Sequence, residues 1–126
     1  NAHLLAWGVD ITHSTSTDTH KITINTAGVY EISANLALEA QASVAQRYNG
    51  IMRFRLNNSS NIGSEGKGGY IRDGSDQDET SLSIPLFAYE FSAADYIWLK
   101  VDRESNVTTQ VDTTARASIL YIKRIK

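Results

Sequence analysis

Ile22-Thr-Ile-Asn-Thr-Ala-Gly-Val-Tyr-Glu-Ile-Ser33 is the stretch that decides the fold class. From His20 to Asn25 the isoleucines take the even positions and polar side chains the odd ones. That period of two puts successive side chains on opposite faces, as in a strand with one buried side. Thr26-Ala27-Gly28 breaks the run, and beyond it Tyr30, Ile32, Ala34, Leu36 and Leu38 fall on one face while Glu31, Ser33, Asn35 and Glu39 fall on the other. The strand is read over 29–38. Good helix formers continue to Gln46, so 40–47 stays open between helix and loop.

Working outward, Met52, Phe54 and Leu56 alternate with Arg53, Arg55 and Asn57, which assigns the arginines to a solvated or intersubunit face. The stretch 57–79 is rich in Asn, Ser, Gly and Asp and reads as a long loop, interrupted at most by a short strand at 68–72. Leu82, Ile84, Leu86 and Ala88 then alternate with Ser81, Ser83, Pro85 and Phe87, and the single proline marks an edge or a bulge. Strands follow at 96–101, 107–111 and 115–125, the first and last apolar on both faces and so expected to be covered twice. With an N-terminal strand at 4–11, the pattern predicts an all-β, two-sheet antiparallel jelly-roll sandwich of eight to ten strands.

A chain of 126 residues with 41% apolar and 21% charged side chains suffices for one core, so 1–126 is read as a single domain. Its net charge of -2 excludes a broad electrostatic attraction for nucleic acid or anionic membrane. No apolar run approaches the roughly 18 residues of a membrane helix, so no direct membrane insertion is expected. Without cysteine there is no disulfide framework, thiolate nucleophile or thiolate metal site. A start at Asn1, with nothing like a signal peptide, suggests the C-terminal fragment of a longer protein.

Four segments, in order, resemble the complement C1q globular-head family, which is joined structurally to the tumour necrosis factor ligands. Ile22 to Ser33 is similar to that family's alternating strand, Ala/Pro-Gly-Val-Tyr turn and second alternating strand. Tyr48 to Leu56 resembles its short strand beside an Asn-Gly, and Ala94-Asp-Tyr-Ile-Trp-Leu-Lys-Val101 its Gly-Asp-x-Val-Trp-Leu strand, with Ala94 in place of the glycine. The ending Ala117-Ser-Ile-Leu-Tyr-Ile122 is similar to the family's closing strand but lacks its glycine. The resemblance implies a ten-stranded jelly roll assembled as a homotrimer on a stalk, with ligand-binding loops at the far end. A cysteine-free, Asn/Ser/Thr-rich version also suits the tip of a phage tail fibre or bacterial surface filament, hence an extracellular or virion-surface location.

Catalytic motifs were sought and are not met. His3, His13 and His20 are spaced by ten and seven, matching no compact metal motif, and there is no Gly-x-Ser-x-Gly elbow. Gly63-Ser-Glu-Gly-Lys-Gly-Gly69 fails as a phosphate loop because Asn61 stands where the first glycine belongs and Gly68 follows the lysine; it reads as a mobile loop. Asp73, Asp76 and Asp78 could converge on Ca²⁺, although the spacing is not that of an EF-hand and a solvated loop is the simpler reading.

Recognition is the better expectation. Tyr48 and Tyr70 sit in loop-like sequence, and exposed tyrosine beside Asn, Ser, Gly and Arg offers contact area and a hydrogen bond at little entropic cost. With Arg72 and Arg103 they are the expected contacts to a cell-surface protein or carbohydrate receptor, carried by segments 40–49, 59–79 and 102–113. Tyr96, Trp98, Leu120 and Ile122, on strands apolar on both faces, are the expected trimer interface. The function expected is a trimeric receptor- or glycan-binding head that does no chemistry. A trimerisation cap without its own ligand, or a glycan-degrading enzyme with paired carboxylates, are the alternatives.

Overall fold

The computed structural model describes residues 8–40, 48–71, 79–103, 111–113 and 118–126. Nine strands form among them: β1 (Ile11–His13), β2 (Ile22–Ile24), β3 (Gly28–Ala40), β4 (Tyr48–Leu56), β5 (Ser60–Ile71), β6 (Glu79–Phe91), β7 (Tyr96–Arg103), β8 (Val111–Thr113) and β9 (Ile119–Arg124). They pair antiparallel into a five-stranded sheet of order β1-β2-β7-β4-β5 and a four-stranded sheet in which β6 lies along one side of β3. Both β8 and β9 pair with the other side, β8 at Leu38–Ala40 and β9 at Tyr30–Asn35. This is the jelly-roll sandwich that the alternation predicts, and no helix forms among the described residues.

The core lies between the sheets. Ile22, Ile24, Tyr30, Ile32, Ala34 and Leu38 are buried, as their alternation requires, and Met52, Phe54, Leu82, Ile84, Phe91 and Ile97 meet them from the other strands. Burying each large side chain contributes about 1.5–3 kcal/mol against the entropy of ordering the chain.

Four sequence expectations change. Of the long loop expected over 57–79, residues 57–71 instead belong to a hairpin: Asn57 and Asn58 both have positive φ (48° and 58°) and Ser59 N donates to Leu56 O at 2.9 Å, a turn at 57–59 after which β5 runs from Ser60 to Ile71, and 72–78 lie outside the described residues. Consecutive left-handed residues match the twist of a hairpin, and asparagine tolerates that conformation better than most residues. The glycines of 63–69 are therefore strand residues, and Gly63 and Gly66 sit where β5 runs close against β6. A Cβ on Gly66 would lie 2.5 Å from Ser83 O, and one on Gly63 2.5 Å from the Phe87 ring.

Next, the phase of β6 reverses at the proline. Ile32 pairs with Phe87 but Ala34 with Ile84, so Pro85 and Leu86 together oppose Ser33 in a bulge. Leu86 is consequently 56% exposed, while Phe87, Tyr89 and Phe91 turn inward. At the N-terminus, pairing begins only at Ile11, after a turn at Val9–Asp10; residues 1–7 of the expected strand 4–11 lie outside the described residues. Finally, β9 is covered on one face only, with Leu120 and Ile122 against the core and Ile119 and Tyr121 outward. The undecided 40–47 and the expected strand over 107–111 lie outside the described residues except at Ala40 and Val111.

The bulge has a direct test. Phe87→Ala should cost about 2–4 kcal/mol in urea unfolding, since the ring packs on Phe54 (centroids 5.9 Å apart) and over Gly63. Leu86→Ala should stay within about 0.5 kcal/mol when measured on the monomer.

Candidate functional site

Register brings the ends of several strands to one pole. Ala40 pairs with Val111, Glu39 with Glu79, Tyr48 with Ile71 and Gly50 with Arg103, so β3, β5 and β7 end where β4, β6 and β8 begin. Of the segments expected to carry recognition, 40–49 and 102–113 meet this pole at their described residues, whereas 59–79 starts at the opposite pole and reaches this one as β5, ending at Ile71. Tyr70 stands there 48% exposed, opposite Asn49, and Arg103 is also exposed. Tyr48 is not an exposed contact: it opens β4, points inward and is 1% exposed. Burial raises the Tyr48 phenol above its ordinary range, against the opposing pull of Arg103. Arg72 and the acidic trio Asp73, Asp76 and Asp78 lie outside the described residues, among which no three metal-binding side chains group together.

At the opposite pole the turns are locked to each other. Asn57 Nδ2 donates to Asp95 Oδ1 (2.7 Å), Asn57 Oδ1 accepts from Tyr96 N (2.9 Å), and Asp95 Oδ2 accepts from Ser92 N (2.8 Å). Charged and neutral hydrogen bonds of this kind fix geometry more than they add stability. Rigidity therefore sits at this pole, away from Tyr70 and Arg103.

The four residues expected at a trimer interface divide between the sheets. Tyr96 and Trp98 face outward from the five-stranded sheet, where Lys21 lies 4.9 Å over the Tyr96 ring and His20 stands edge-on to Trp98 at 5.6 Å. Leu120 and Ile122 pack against the core instead, because the cross-strand partners of β9 put them level with Ala34 and Ile32. The free face of the four-stranded sheet presents a different set. Leu86 and Tyr121 flank Ser33, and Ser83 and Ile119 flank Asn35, with Leu86 56%, Tyr121 39% and Ile119 68% exposed. Ser83 Oγ donates to Asn35 Oδ1 at 2.6 Å, tying the polar side chains of β3 and β6 together between these apolar ones. Sequence reasoning missed this row because it assumed an unbroken alternation through Pro85 and apolar cover on both faces of the last strand.

The free face of the five-stranded sheet carries a charge ladder instead. Arg53 donates to Glu65 (2.5 Å) and to Asp102 (2.8 Å), Lys67 pairs with Glu65 (3.3 Å) and Lys100 with Asp102 (3.1 Å). The hydrogen bond from Arg53, then that from Lys67, holds the Glu65 carboxyl below its ordinary range. A lowered carboxylate pKa stabilises the fold above the unfolded value and ceases to do so as pH falls through the folded one. Arg53→Gln should therefore lose less thermal stability than the parent between about pH 5 and pH 3, and the difference between them should shrink in high salt, as read by melting curves at each pH.

No family model and no curated protein matches this sequence. Among solved structures the chain is similar to Eiger TNF from S. frugiperda, with a TM-score of 0.56 and 12% identity over 92% of this chain and 69% of that one. At that identity the likeness bears on architecture alone, and with the two antiparallel sheets described above it shows that the chain folds as a TNF-like jelly roll.

Proposed function

We propose that this domain is the trimeric head of an extracellular or virion-surface fibre, a binding module rather than an enzyme. In this reading three copies associate through the free face of β6-β3-β9, and the pole bearing Tyr70 and Arg103 meets a cell-surface protein or carbohydrate. The observation that carries it is the outward row of Leu86, Tyr121 and Ile119 beside the small side chains Ser33 and Asn35. Contiguous apolar side chains on a sheet face are what a subunit interface needs and what an isolated domain avoids. The TNF-like architecture and the resemblance to C1q heads support the same assembly. Ca²⁺ held by the Asp73–Asp78 segment remains an optional part of the reading.

Three copies on one axis turn weak single-site contacts into avid ones when the target presents several sites. That advantage distinguishes a receptor-binding head from a cap that only registers a fibre. It also requires no chemistry from the pole.

Multi-angle light scattering is expected to give three times the chain mass at micromolar concentration, and the double variant Ile119→Glu/Tyr121→Glu a folded monomer. A clean monomer from the parent chain across that range would sink the assembly. For the recognition half, Tyr70→Ala and Arg103→Ala should each weaken saturable binding to target cells by about tenfold without changing the mass, whereas a mere cap would show no saturable binding.

A further inference from the structure

Arg55 differs from its neighbour Arg53 on the same face. Arg53 is neutralised by two carboxylates, whereas among the described residues Arg55 donates to the amide oxygen of Asn61 (2.9 Å) and the backbone oxygen of Asn58 (2.8 Å). Among the described residues Arg55 makes no ion pair. A guanidinium has five N–H donors, so these two bonds leave donors to spare. Across the strands, Arg55 pairs with Trp98 on one side and with Asn61 on the other, so the three form one row over β7-β4-β5. Two donors in that row, Trp98 Nε1 and Arg55 Nε, are buried and have no hydrogen-bond partner among the described residues. A buried donor left unmet costs about 1–3 kcal/mol, so an oxygen that reaches it is strongly favoured.

We propose that Trp98, Arg55 and Asn61 form a lateral binding site for an acidic pyranose, a sugar ring bearing a carboxylate. Charge selects the carboxylate, because Arg55 is the cation of the ladder without an acidic partner, and a guanidinium takes a carboxylate through two parallel hydrogen bonds. The indole selects the ring, since a flat aromatic plate flanked by donors matches a sugar's C–H face and its rim of hydroxyls. Exposed His20, on the β1–β2 connection, stands edge-on to Trp98 and borders the site. The site lies on the sheet opposite Leu86 and Tyr121 and away from the Tyr70 pole, so it depends neither on self-association nor on the pole as a receptor site.

Uronic and sialic acids share this chemistry, and the test separates them. The Trp98 indole N–H resonance, assigned by its loss in Trp98→Phe, is followed by proton–nitrogen correlation NMR while the unaltered chain is titrated with a hyaluronan tetrasaccharide or with 3′-sialyllactose. Carboxyl-reduced tetrasaccharide and lactose are the neutral counterparts. The expected result is a saturable shift with at least one acid, about tenfold weaker for its neutral counterpart and about tenfold weaker for Arg55→Gln. No shift with either acid up to about 10 mM, or equal binding of acid and neutral sugar, would overturn the site. So would an Arg55→Gln chain that keeps the parent's dispersed spectrum and binds as the parent does. Because the neutral sugars are tested on the unaltered protein, the answer stands even where the Arg55 variant fails to fold.

Discussion

The sandwich hangs on β3. It is the one strand of the four-stranded sheet paired along both sides, with β6 on one and with β8 and β9 in succession on the other. Its inward face supplies Tyr30, Ile32, Ala34 and Leu38 to the core, and Tyr30 is both the largest and the most constrained of them. The phenol is wholly buried as a residue yet donates to Thr26 O (2.7 Å) and lies within reach of Asp10 O (3.3 Å), so its polar end costs little while its ring packs on Phe91. Burial raises its pKa, with Asp10 adding to the effect. One side chain thus ties the turn before β3, the approach to β1 and the core together. The positions of both poles and both free faces follow from where this strand starts and stops.

The parts of the fold that could be read in advance are those in which a side chain's face is set by its own strand. Ile22, Ile24, Tyr30, Ile32, Met52 and Phe54 are such residues. What could not be read is set by neighbours. Whether Gly63 and Gly66 belong to a loop or a strand depends on β6 passing within a Cβ of them, and whether Leu86 or Phe87 enters the core depends on a bulge whose only local sign is Pro85. The asparagine pair Asn57-Asn58 held a turn signal that polar composition obscured. Among the site residues, Tyr70 and Arg103 are exposed at the ends of β5 and β7, while Tyr48 is buried, because β4 already begins at Tyr48, inside the expected 40–49 segment.

The two outer faces solve the problem of a solvent-facing sheet in different ways. On the five-stranded sheet, basic and acidic side chains are interleaved so that Arg53, Lys67 and Lys100 share two carboxylates. Exposed pairs of this kind contribute little to stability but discourage close apposition of another apolar surface. The four-stranded sheet instead keeps its central side chains small and its flanking ones apolar. Such asymmetry gives the domain a side suited to burial and a side suited to remaining in water, with the Trp98–Arg55 row as the place where the wet side is left electrostatically open.

The close approach of β5 to β6 has a consequence for solubility. Each is the last strand of its sheet, and an unpaired strand edge invites hydrogen bonding by any extended chain that drifts past. Gly66, by letting the β5 backbone lie against Ser83 of β6, makes each edge shield the other. At the far side of the five-stranded sheet the outermost described strand, β1, is three residues long. A domain crowded beside identical copies thereby limits its exposure to edge-to-edge aggregation and leaves association to side chains, whose pattern can be specific.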